Sequence, residues 1–269
     1  MLGALVALST GVGGCGRPDA VRVTEPPPDL LVSVRAGAVA APDSVRAGWS
    51  RVRVEEDGGG HILVVFRLPE AATDADIEVF LAVLDTARAT PKPAVALGGP
   101  EIGDTGEIII ELTAGRYVLG CVARGPDGHR HTSAGEARTL RVVPASLASG
   151  PEPVPPRATE DVQLVDFAYV GSDRWPAGSH VLRVENRGRQ DHQLRLGRLR
   201  AGSTLQSWMK DPAEAEVPVA GIARLGPGAV AYLSVELASG TYVLYCLVPD
   251  AASGRPHAEL GMFRAIQVQ

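Results

Sequence analysis

Through most of the chain apolar and polar residues alternate with a period of two, in short runs that predict β-strands with one buried face. In the run that opens at His192, Leu194 and Leu196 share the histidine's face; in the run that ends at Cys246, so do Tyr242 and Leu244 with the cysteine. Both His192 and Cys246 are therefore expected to point inward from strand ends. One stretch breaks the period. In TDADIEVFLAVLDTARA, Ile77, Phe80, Leu81 and Leu84 fall at helical spacing, and Thr73 and Asp76 stand where a capping box needs them. STLQSWMK is a shorter counterpart, in which Trp208 and Met209 follow Leu205 at helical spacing and read as core residues, while His180, at the start of a strand, reads as surface. The pattern predicts an all-β protein of two antiparallel sandwiches, each with one short helical excursion before its last strands.

The two-sandwich reading rests on an internal repeat. VRAGWSRVRVEEDGGGH, ending at His61, aligns with WPAGSHVLRVENRGRQDH, ending at His192, and from each histidine the copies stay in phase. ELTAGRYVLGC, ending at Cys121, aligns with ELASGTYVLYC, ending at Cys246, and beyond the cysteines His131 and Gly135 match His257 and Gly261. Proline-rich segments read as a tether over 16–28 and a linker over 145–160, which leaves one copy in 29–144 and the other in 161–269. A chain of 269 residues has room for two such cores.

Composition narrows the partners. A formal net charge of −5 offers no basic surface of the size that phosphate backbones or anionic headgroups require, so nucleic acid is not an expected partner. The opening MLGALVALSTGVGGCGRP is too short an apolar run to span a bilayer and reads as the end of an export signal over 1–15. VGGC resembles a bacterial lipoprotein processing box, which implies cleavage before Cys15, a lipid on that thiol, contact with the membrane only through that anchor, and a place in the cell envelope or periplasm. The departure is that no Lys or Arg precedes Arg17. Cys121 and Cys246 then remain as the side-chain thiols; they are expected in separate cores, too far apart to pair.

His192, Cys246, His257 and Met262 supply two imidazoles, a thiolate and a thioether, the soft and mixed set that fits a trigonal copper site with a long axial sulfur. Leu244, Leu247, Leu260 and Phe263 are the apolar neighbours expected to exclude water. GTYVLYC, PHAELGM and IQV, preceded by VENRGRQDH, resemble the cupredoxins, the blue copper proteins related to plastocyanin, azurin and the sandwich domains of copper nitrite reductase. The resemblance covers about 110 residues of the second copy and implies two tandem cupredoxin-like Greek-key β-sandwiches, with His192, Cys246, His257 and Met262 as ligands of one copper. Ten residues separate Cys246 from His257, closer to the nitrite reductase style of loop than to the small blue proteins. Gln193 stands where the family has an asparagine that braces the ligand loop.

The first copy offers His61, Cys121 and His131 in register, with Glu136 in place of Met262 and His129 as a second histidine on the loop. A carboxylate is a hard ligand that does not reproduce a blue site, so this copy is expected to be a weak or degenerate second site, with a structural or docking role. A trinuclear oxidase centre beside a blue site needs more than the six histidines present, and neither Cys246 nor Cys121 has the adjacent histidine through which nitrite reductases and oxidases wire a second centre. The chain is therefore expected to be no enzyme. Two readings follow: an envelope-anchored one-electron carrier that docks a redox protein near an exposed His257, or an envelope module of the same fold, its metal site lost, that binds other proteins.

Overall fold

The computed structural model describes residues 27–58, 60–101, 105–145 and 153–269; the export signal, Cys15 and nearly all of the expected tether lie outside them. The N-terminal half contains β1 (Asp29–Arg35), β2 (Ala38–Ala40), β3 (Ser44–Arg46), β4 (Gly48–Glu56), β5 (Leu63–Arg67), β6 (Val95–Ala96), β7 (Thr105–Leu112), β8 (Gly115–Cys121) and β9 (Ala137–Val143). The C-terminal half repeats the series as β10 (Glu160–Val165), β11 (Ala168–Val170), β12 (Arg174–Trp175), β13 (Gly178–Asn186), β14 (His192–Leu199), β15 (Glu216–Leu225), β16 (Val230–Leu237), β17 (Gly240–Tyr245) and β18 (Phe263–Val268). The class is all-β, as the period of two requires.

Each half has its own five-stranded sheet, β3-β9-β8-β5-β6 and β12-β18-β17-β14-β15, and the two halves share one eight-stranded sheet, β11-β10-β13-β16-β7-β4-β1-β2. The sheets are mixed rather than purely antiparallel: β1 runs parallel to β4, β10 to β13, β3 to β9 and β12 to β18. The seam of the shared sheet is the antiparallel pair β16 and β7, with Ala231 opposite Ile110 and Tyr232 opposite Ile109. A second seam joins the other layer. There Leu97 bridges Leu225, Pro100 bridges Ile222, and the N–H of Ala223 donates to the carbonyl of Gly99 at 2.8 Å. Val32, Ile110 and Leu119 of one half and Val184, Leu233 and Ile266 of the other belong to a single buried apolar cluster.

The helix expected in the first copy is α1 (Asp74–Thr86), capped by Thr73 and Asp76 in a reciprocal box, with Ile77, Phe80 and Leu84 buried on the outer face of the sheet beside Val64, Phe66 and Val118. Its counterpart is α2 (Leu205–Lys210), where Thr204 and Ser207 make the box. Trp208 is buried, but Met209 is 60% exposed, because six residues of helix present only one narrow stripe to the sheet. His180 is likewise not a surface residue. It is buried within β13, with Nε2 at 2.8 Å from the carbonyl of Pro176 and its ring beside Trp175. Among the described residues no helix is long and apolar enough to cross a membrane.

Candidate metal centre

In the C-terminal half His192 is the first residue of β14, and Cys246 follows directly on the last residue of β17. His257 opens a 3-10 turn, His257–Leu260, that ends in a left-handed Gly261. That glycine, at φ 104°, turns the chain back so that the next residue, Met262, pairs with the strand end. The N–H of Cys246 donates to the carbonyl of Met262 (3.3 Å), that of Met262 to His257 (2.9 Å), and that of His257 to Val248 (3.0 Å). The result is a closed backbone loop that brings Cys246, His257 and Met262 together beside the start of β14.

There, donor atoms of His192, Cys246 and His257 lie within 4.8 Å of one another. Nδ1 of His192 faces Nδ1 of His257 at 3.0 Å, and the latter is 3.5 Å from Cys246 Sγ. All three residues are fully buried, as is Met262, whose backbone is tied to both Cys246 and His257. Burial, helped by the nearby His192, holds the His257 imidazole down at about 4, and burial lowers His192 as well, against the pull of Asp166. Both rings are thus neutral at neutral pH and keep a lone pair for a metal. The Cys246 thiol is pushed up to about 12 by burial, so a metal that binds here displaces a proton.

Residues that the sequence pattern passed over orient these donors. Asp166, in the turn between β10 and β11, sits 3.1 Å from His192 Nε2. Burial opposes its ionisation, yet the N–H of Arg189, His192 and the Arg189 side chain hold its carboxyl down at about 2. An ionised Asp166 keeps the His192 proton on Nε2 and leaves Nδ1 as the free donor. Phe167, the one described non-glycine residue with positive φ (66°), sets its ring edge-on to His257 at 5.2 Å. For His257, Nε2 is buried with no hydrogen-bond partner, so Nδ1 is the atom aimed at polar neighbours. Gln193 does brace the loop: its Oε1 accepts from the N–H of Leu247 at 2.7 Å, its own N–H points at Cys246 Sγ at 3.3 Å, and its Nε2 donates to Glu101 of the other half. The chemistry of the set fits a soft or borderline metal ion: two imidazole nitrogens and a thiol in a dry cage, with a carboxylate behind one ring.

Some expectations about the surroundings do not hold. His257 is wholly buried rather than exposed on its loop, because the 3-10 turn folds it back under Phe167, and Leu247 is 43% exposed because β17 has already ended. Leu244 is fully buried, while Leu260 and Phe263 are half-buried. Cys121 and Cys246 are both free and buried, each in its own donor group, but not in separate cores as expected: the joined sheets put both in the one apolar cluster.

The N-terminal half also brings its four candidates together: donor atoms of His61, Cys121, His131 and Glu136 lie within 4.8 Å of one another. His129 takes no part. Its Nδ1 pairs with Asp85 at 2.7 Å on the surface. Burial pushes the Cys121 thiol up to about 12. Burial also opposes ionisation of Glu136, but the N–H of Gly37, the thiol and the two imidazoles outweigh it and leave the carboxyl below its usual range.

No protein-family model matches the chain, and no curated protein matches it in sequence. Among solved structures, the dithionite-reduced auracyanin from the photosynthetic bacterium Roseiflexus castenholzii aligns at 17% identity over 40% of this chain and 94% of its own, with a TM-score of 0.30. The blue copper oxidase from Nitrosomonas europaea aligns at 12% identity over 90% of this chain and 86% of its own, with a TM-score of 0.25. The copper-containing nitrite reductase from Thermus scotoductus aligns at 12% identity over 90% of this chain and 62% of its own, with a TM-score of 0.24. Likeness at this level assigns no residue a role; the chemistry rests on the donors themselves.

Proposed function

We propose that the C-terminal half binds one copper ion, which His192, Cys246 and His257 would hold with the Met262 thioether as a fourth donor, and that the protein is an exported, envelope-anchored one-electron carrier rather than an enzyme. The observation that carries this is the convergence of two Nδ1 atoms and one Sγ in a fully buried cage, with Asp166 fixing which nitrogen of His192 is free. A thiolate favours the cuprous state, imidazoles tolerate both states, and a ligand loop closed by backbone hydrogen bonds leaves little to rearrange when one electron is exchanged. Copper supplies the redox change when bound. The chain supplies the fixed donors, the exclusion of water and the proton that leaves Cys246. Neither Cys121 nor Cys246 is flanked by a histidine that would conduct electrons to a neighbouring catalytic centre, which favours a carrier over an oxidase or reductase.

The test is a copper titration of the Cys15→Ser, Cys121→Ser chain, in which Cys246 is the only thiol, followed by visible absorption and electron paramagnetic resonance. An intense thiolate-to-copper band that saturates at one copper per chain and disappears with Cys246→Ser supports the reading. Weak copper binding without such a band would leave the non-redox envelope module as the better account.

A further inference from the structure

The N-terminal cluster repeats the three backbone hydrogen bonds that frame the C-terminal one. The N–H of Cys121 donates to the carbonyl of Glu136 (3.0 Å), that of Glu136 to His131 (3.1 Å), and that of His131 to Ala123 (2.9 Å). The N–H of Ile62 points at Cys121 Sγ at 3.4 Å, as that of Gln193 does at Cys246. His131–Ala134 forms the matching 3-10 turn, closed by Gly135 at φ 98°. A site that had decayed to ordinary core would have no reason to keep polar donors aimed at one point in this frame. Glu136 nevertheless enters it fully, with Oε2 at 2.8 Å from His61 Nδ1 and 3.1 Å from His131 Nδ1.

The nitrogen–nitrogen and nitrogen–sulfur spacings lie close to the edges of a metal cage. The two Nδ1 atoms are 3.4 Å apart, and Cys121 Sγ is 3.7 Å from that of His61 and 3.6 Å from that of His131. Metal–ligand distances of about 2.0–2.3 Å at tetrahedral angles give edges of about 3.3–3.6 Å for nitrogen–nitrogen and nitrogen–sulfur pairs. The nitrogen–oxygen pairs are shorter because hydrogen bonds span them. Each outer donor is also anchored from behind: His61 Nε2 lies 3.0 Å from Asp57, and the second oxygen of Glu136 accepts from the N–H of Gly37 at 3.1 Å. Side-chain exposure is 3% for His61 and 5% for Glu136 but 20% for His131, which marks the way in.

We propose that His61, Cys121, His131 and Glu136 form a second metal centre, four-coordinate and selective for a divalent cation of the zinc class over cuprous copper. Thiolate and carboxylate together carry two negative charges, which a divalent ion neutralises and a monovalent one does not. Carboxylate oxygen is a hard donor that suits zinc and discriminates against the soft cuprous ion, for which the Met262 thioether of the other half is the better fourth donor. The two halves of the repeat then hold different ions in one frame, and the residue after the left-handed glycine selects between them.

The experiment uses the full chain carrying Cys15→Ser and Cys246→Ser, so that Cys121 is the only thiol and the result does not depend on the C-terminal copper. Equilibrium dialysis against zinc is expected to leave one zinc per chain. Cobalt(II) in its place is expected to give the visible bands of a tetrahedral ion with a thiolate charge-transfer band, both lost when zinc is added. Cys121→Ser and Glu136→Gln are each expected to weaken zinc by about tenfold or more. Glu136→Met is expected to reverse the preference, with cuprous copper gaining on zinc by at least about tenfold. Far-UV circular dichroism confirms that each variant is folded. No retained zinc, retention unchanged by both Cys121→Ser and Glu136→Gln, or a preference for cuprous copper before Glu136 is changed would each overturn the proposal.

Discussion

The working state of His192 is decided by two neighbours rather than by its own position in a strand. Asp166 accepts the hydrogen bond of the Nε2–H, and Gly188 makes room for that pair: a Cβ at 188 would lie 2.5 Å from Asp166 Oδ1 and 2.6 Å from His192 Nε2. Asp166→Ala is expected to lower copper affinity by about 10- to 100-fold without loss of the thiolate band, as read by competition with a chelator. Gly188→Ala is expected to weaken copper by a different route, through displacement of the ring, so that the paramagnetic resonance parameters shift as well. The neutral imidazoles also carry a pH signature in the metal-free chain. Unfolded His257 takes up a proton near 6.5, but the folded residue resists until about 4. Across that window the unfolded state holds more protons, so stability falls as the pH drops from 6.5 towards 4 and is regained on return. Urea midpoints of the metal-free protein at about pH 7 and about pH 4.5 are expected to differ by less in His257→Gln than in the parent chain.

At the scale of elements, the ligand strands were legible because period two places His192 and Cys246 on inward faces and the repeat brings the loop histidines into register. The groups that hold them were not. Asp166 lies 26 residues before His192 on another turn, and Asp57 belongs to a loop that reads only as polar. Gln193 stands out in the sequence only as the neighbour of a candidate ligand, and its reach to both Leu247 and Glu101 is a tertiary fact. Arg130 is the clearest case. The last turn of α1 contains no basic residue, and its carbonyls are met from outside by Arg130, whose guanidinium donates to Leu84 (2.8 Å), Ala87 (2.9 Å) and Val122 (2.7 Å). One buried cation therefore fastens the helix to the exit of β8, next to His131. Arg130→Leu would strand two buried acceptors and one half-buried one and is expected to cost about 3 kcal/mol, measured by urea unfolding. Arg130→Lys keeps the charge without the fork and is expected to recover only part of this.

At the scale of the molecule, the repeat announces two similar units but not how they join, since an edge strand that will pair with another half carries no period of its own. Both layers are seamed: β16 pairs with β7 in the shared sheet, and Gly98 and Gly99 let residues 97–100 run beside β15 in the other. A Cβ at Gly99 would sit 1.9 Å from the carbonyl oxygen of Leu63, and one at Gly98 2.9 Å from Ile222, so only glycine allows three segments to meet there. Charged and polar groups lock the same junction. Asp191, adjacent to His192, accepts from the N–H of Thr90 at 2.7 Å and from Arg224 at 3.1 Å. With strand edges, core and polar locks all shared, neither half can open without exposing the other's edge. Calorimetry of the metal-free chain is therefore expected to show one cooperative transition instead of two. Copper held at His192, Cys246 and His257 should move that whole transition upward, since a ligand bound only to the folded state stabilises everything that unfolds with it. Gly99→Ala is expected to split the transition, and copper would then raise only the component that contains His192, Cys246 and His257. A parent chain that already melts in two independent steps, with copper shifting one of them, would show that the seams are contacts between separate folding units.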